Sequence, residues 1–139
     1  MADESDISWD YSNCSPYLGI RLTTYDGSEY PSDVNGEKLV LIDTGYDGEI
    51  CIPLWLYTEL GFERWEEPEP KQYQSRGGDI FMRVAHGCIR IPKYSSEPIP
   101  VSVEAQEDEV TDNEIIIGAG FVKRFRLLLD GPARKLYLL

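Results

Sequence analysis

Leu39-Val40-Leu41-Ile42-Asp43-Thr44-Gly45 runs four apolar residues into a carboxylate, a hydroxyl and a glycine. The run has the composition of a buried strand over residues 38–43, and an aspartate at its end is costly to desolvate. Such a carboxylate needs a reason: a turn that its side chain caps, a metal, or catalysis. Alone, the triplet fits a strand-ending turn as well as a catalytic loop. The surrounding chain has to separate the two.

Outward from it, short apolar runs alternate with Gly, Pro, Asn and Asp, the pattern of an all-β barrel or sandwich. Residues 17–24 (YLGIRLTT) read as a strand entering a Tyr-Asp-Gly-Ser turn. Residues 53–60 (PLWLYTEL) open with proline and end before Gly61, which predicts a short helix. Residues 63–70 are acidic and proline-bearing and read as an exposed connection, while residues 71–84 hold Arg76-Gly77-Gly78-Asp79 between strand-like halves, a long hairpin with a glycine tip. Residues 88–91 and 99–103 read as short strands, placed at edges by Pro92, Pro98 and Pro100. Residues 114–118 (EIIIG) read as a buried strand, 121–125 as one helical turn, and 126–130 with 135–139 as a closing hairpin.

The chain's 139 residues fit one domain, and 42% hydrophobic residues suffice for a core. A formal charge of -12 repels phosphate backbones and anionic lipid, so nucleic acid and membrane surfaces are excluded as partners. The acids of residues 1–10 and 104–114 read as solvated. Cys14, Cys51 and Cys88 are widely spaced and His86 is the one histidine, which argues against a zinc site or a disulfide framework, so no metal and no cofactor are expected. Cys51 reads as a small buried hydrophobe and His86 as a hydrogen-bonded strand residue. The acidic start of the chain lacks the bases and apolar run of a signal peptide, and no stretch approaches the roughly 20 apolar residues of a membrane span. The expected location is cytoplasmic.

Taken in order, Leu41-Ile42-Asp43-Thr44-Gly45, the glycine-tipped hairpin at Arg76-Gly77-Gly78, and Ile116-Ile117-Gly118 leading into residues 121–125 resemble the retroviral-type, single-domain aspartic proteases. The resemblance spans residues 17–139, with 1–16 left as an acidic, partly flexible N-terminal segment. It implies an all-β, small closed acid-protease-type barrel with one or two short helices and a flap hairpin. It also implies hydrolysis of peptide or protein substrates by water held between two carboxylates, which share a proton because like charges so close cannot both ionise. No second Asp-Ser/Thr-Gly exists here, since Asp26, Asp47 and Asp130 precede glycine directly. The second carboxylate would then be Asp43 of another copy, which makes the expected assembly a twofold homodimer.

By the same resemblance Thr44 would hydrogen-bond across the twofold axis and Gly45 would let the substrate backbone approach. Tyr46 and Asp47 would meet the substrate, although Asp47-Gly48 reads equally as a turn. Arg76, Gly77 and Gly78 would form the closing flap. Viral members usually follow Ile-Gly with Arg-Asn, whose arginine ties down the active-site region, whereas Ala119-Gly120 stand here. That departure leaves a catalytically inactive dimerisation or peptide-binding module as the alternative, and an unrelated barrel with a chance triplet as a third reading. The apolar end Leu136-Tyr137-Leu138-Leu139 reads either as an interface strand or as an ordinary core strand. The bases around it, including Arg124 and Lys135, read as partners for N-terminal acids of a second copy or as a solvated face.

Overall fold

The structure is a computed structural model that describes residues 7–33, 36–107 and 114–139. Strands dominate: β1 Ile7–Asp10, β2 Tyr17–Thr23, β3 Glu29–Tyr30, β4 Lys38–Ile42, β5 Ile50–Cys51, β6 Lys71–Ser75, β7 Gly78–Ile91, β8 Ser95–Gln106, β9 Ile116–Ile117, β10 Leu127–Asp130 and β11 Lys135–Leu138. Two short helices accompany them, α1 Leu54–Glu59 and α2 Ala119–Val122.

Eight strands form one sheet in the order β3-β2-β4-β9-β5-β8-β7-β6, and β2 also pairs with β7 through Arg21↔Arg90, Leu22↔Ile89 and Thr23↔Cys88. That extra pairing closes the sheet into the small all-β barrel that the sequence implied, with β3 and β6 as appendages. Closure removes most free edges, which a sheet of this length would otherwise expose. Leu22, Ile50, Tyr57, Phe62, Ile89, Val103 and Ile117 are fully buried at its centre. A second sheet, β1-β11-β10, packs Trp9, Leu136 and Leu138 against the same core.

Two sequence readings are corrected and one open alternative is settled. Ile7–Asp10 pairs with Lys135–Leu138, so the folded domain begins before residue 17, and residues 1–6 lie outside the described residues. The apolar chain end is an ordinary core strand, because β11 already has β1 on one side and β10 on the other. Residues 88–91 and 99–103 belong to strands of 14 and 12 residues rather than to short edge strands. The prolines are tolerated because, among the described residues, β8 meets β5 only at Val103 and Glu104, which leaves Pro100 paired with Cys88 of β7 alone and Pro98 in the irregular stretch where the β7–β8 register shifts between Ile89 and Ile91. The connection over residues 63–70 is exposed as expected, except that Trp65 and Glu66 are half-buried. Phe62–Trp65 form a 3₁₀ turn with Phe62 buried, and Glu66 accepts from the Tyr57 hydroxyl and Arg83 Nε, each at 2.7 Å.

Candidate active site

β4 and β9 run parallel, and the Asp43 amide continues their ladder by donating to the Ile117 carbonyl at 2.9 Å. The chain then turns sharply. Asp43 Oδ1 accepts from the Gly45 amide at 3.0 Å, and the Tyr46 amide donates to the Asp43 carbonyl at 3.1 Å. The aspartate therefore caps its own turn, the local economy that Asp side chains favour. Beyond it, the amides of Gly118, Ala119 and Gly120 donate to the carbonyls of Glu49, Tyr46 and Gly48 at 3.1, 2.8 and 3.1 Å. Residues 43–49 and the start of α2 thus form one stitched unit. Asp43, Thr44, Gly45 and Asp47 are exposed on it, and Tyr46 is half-buried.

Between this loop and the β6–β7 hairpin runs an open cleft of about 430 Å³. Asp43, Gly45, Tyr46 and Asp47 line one side of it, and Tyr73, Gln74, Ile80, Met82 and Gln106 line the other. Four of the residues singled out from the sequence are thereby brought together. Thr44 sits exposed in the same turn without lining the cleft, and Arg76, Gly77 and Gly78 lie at the exposed hairpin tip beyond it. Gly78 takes φ +115°, a conformation that an L side chain resists and that allows the two-residue turn from Ser75. The cleft-facing residues of the hairpin were missed. They follow from its register, Lys71↔Met82 and Tyr73↔Ile80, which counting back by twos from the glycine tip would have given.

Glu104 was misread as part of a solvated acidic stretch. It is 2% exposed and lies behind the cleft wall, where Oε1 accepts from the Tyr46 hydroxyl at 2.6 Å and from the Tyr73 hydroxyl at 2.7 Å. Lys71 Nζ stands 3.7 Å from Oε2 and 4.9 Å above the Tyr73 ring. Burial, and next the bond to Glu104, push the Tyr46 phenol far above its usual range. His86 does bond to Glu67, and Cys51 is half-buried in β5 rather than fully buried. No group of three or more His, Cys, Asp or Glu able to hold a metal occurs among the described residues. No helix among them is long and apolar enough to cross a membrane.

No protein-family model and no curated protein sequence matches the chain. Solved structures do. A retropepsin-like aspartic protease from Rickettsia conorii superposes with a TM-score of 0.60, covering 96% of this chain and 98% of its own at 13% identity. The fold is retropepsin-like. Two further structures align at lower TM-scores. EIAV protease complexed with the inhibitor HBY-793 gives 0.46 at 16% identity, covering 79% of this chain and 86% of its own. The retroviral protease-like domain of Ddi1 from Leishmania major gives 0.47 at 13%, covering 88% and 92%.

Arg124, just past α2, pairs with Glu49 of the Asp43 loop and donates to the Pro100 carbonyl at 2.8 Å. Glu49 in turn accepts from the Ser102 amide at 2.9 Å. Lys135 stands 3.4 Å from Asp10 of its own chain, so both bases find intrachain partners.

Proposed function

We propose that the protein is an aspartic endopeptidase that works as a homodimer, each chain supplying Asp43. The observation that carries this reading is the self-capped Asp43-Thr44-Gly45 turn at one side of a cleft whose other side is a glycine-tipped hairpin, in a retropepsin-like fold. In the proposed reaction, water lies between Asp43 and the partner subunit's Asp43, one ionised and one protonated. The ionised carboxylate takes a proton from water as its oxygen attacks the peptide carbonyl carbon, and the protonated one donates to the carbonyl oxygen. Collapse of the tetrahedral species breaks the C–N bond, and the leaving nitrogen takes up a proton from the dyad.

Thr44 steadies the paired turns, Gly45 admits the substrate backbone, and Tyr46 and Asp47 bind the peptide on the loop side. Arg76, Gly77 and Gly78 carry the hairpin tip over it, which excludes water from the reacting bond. Asp43→Asn is expected to keep the far-ultraviolet circular dichroism of the wild type while cleavage of a peptide library falls at least about a thousandfold. A folded Asp43→Asn chain with undiminished turnover would sink the proposal. Activity should peak at acidic pH, where the dyad holds one proton.

A further inference from the structure

The buried carboxylate of Glu104 joins two elements that must move relative to one another if the hairpin is a flap. Tyr46 comes from the loop beside Asp43, whereas Lys71 and Tyr73 come from β6. Among the described residues β6 ends the eight-stranded order and pairs with β7 alone, and beyond that ladder Lys71 and Tyr73 tie it to Glu104. Glu104 itself is fixed in the barrel wall. It lies opposite Val84 of β7 and Cys51 of β5, and its carbonyl accepts from the Ile52 amide at 2.9 Å. One oxygen therefore joins the hairpin and the Asp43 loop to the barrel wall.

We propose that Glu104 is a positioning residue that latches the flap to the Asp43 loop through the hydroxyls of Tyr73 and Tyr46. Its kinetic consequence rests on the peptidase reading; the latch itself is a property of the free protein. Flap opening breaks the Tyr73 bond and leaves the Tyr46 bond, so the loop keeps its shape while the cleft admits a peptide. Burial raises the Tyr73 phenol, with the bond to Glu104 adding to it and Lys71 opposing, and Tyr46 is raised further, so both hydroxyls remain donors through the neutral range. Hydrogen bonds to a charged acceptor out of water are strong enough to set the open fraction of a hairpin.

Hydrogen exchange read by mass spectrometry on the whole chain, with no substrate present, tests this directly. Tyr73→Phe, which removes one oxygen and keeps the ring, should speed exchange over residues 71–82 at least about tenfold and leave β2 and β4 unchanged. Glu104→Gln should do so by less, since its amide oxygen still accepts while the Lys71 pair is lost, and the double variant should fall short of the sum of the two single effects, because both lesions act on the Tyr73–Glu104 bond. On a cleaved peptide, KM should rise about tenfold in Tyr73→Phe with kcat within about threefold, because a closed flap holds ground state and transition state alike. A folded Tyr73→Phe with wild-type flap exchange, additive effects in the double variant, or a fall in kcat at constant KM each overturns the latch. If the wild type cleaves no peptide, the peptidase reading fails while the exchange comparison still decides the latch.

Discussion

The Tyr46 ring occupies space that side chains at two glycine positions would need. A Cβ on Gly48 would stand 2.2 Å from the Tyr46 hydroxyl oxygen, and one on Gly118 would stand 2.3 Å from the Gly48 carbonyl oxygen and 2.5 Å from Tyr46 Cδ2. The Gly118 clash is with backbone and cannot be relieved by a rotamer change. Gly118→Ala should therefore lower unfolding free energy by about 2 kcal/mol or more in urea titration, whereas Gly131→Ala, with nothing within 4 Å, should stay within about 0.5 kcal/mol of wild type. Asp26 offers a second test at the same scale. The Thr24 hydroxyl foremost, then Arg64, hold its carboxyl at about 2, below the usual 3.8. The unfolded carboxyl binds a proton first as pH falls, so this contribution is complete above pH 3.8 and is lost as pH drops toward about 2. Asp26→Asn should flatten the acid side of the stability curve across that window, an effect kept small by the exposure of the site.

At the scale of elements, the tie between Arg124 and Glu49 joins the end of α2 to the Asp43 loop, and Glu49 also anchors β8 at Ser102. Arg124→Ala should cost about 1 kcal/mol, because the guanidinium is 37% exposed and screened, and Glu49→Ala should cost more, because the Ser102 amide loses its acceptor as well. Thermal melts of the two single variants and the double would separate the pair from the amide bond. The elements themselves were legible where pattern and punctuation agreed: residues 38–43 are apolar and end at Asp-Thr-Gly, and residues 53–60 run from Pro53 to a Gly61 that takes φ +74°. They were illegible where partners decide. Pro98 and Pro100 argue for an edge until β5 is known to meet β8 only at two residues. Glu104 reads as solvated because nothing local announces that Tyr46 and Tyr73, 58 and 31 residues away, will both donate to it. The cleft's loop side could be read from one triplet, while its hairpin side needed the register.

For the whole molecule, the proposed dimer brings together two chains that each carry -12, so association works against Coulomb repulsion that salt screens over about 10 Å at 0.1 M. Raising sodium chloride from about 0.02 to 0.5 M should tighten the dimer at least about tenfold in sedimentation, and a dimer that weakens with salt contradicts the electrostatic part of the argument. Lower pH should act in the same direction by neutralising surface carboxylates, which adds to the acidic optimum set by the dyad. The composite site makes a sharper demand than association alone. If each active site needs Asp43 from both chains, a chain carrying Asp43→Asn poisons any wild-type chain it pairs with. At a fixed wild-type concentration above the dissociation constant, a fivefold excess of Asp43→Asn should reduce activity to about one sixth, the fraction of wild-type chains that still meet one another. A site complete within one chain would leave activity untouched by the same addition, so the mixing curve distinguishes half a site from a whole one without any further structure.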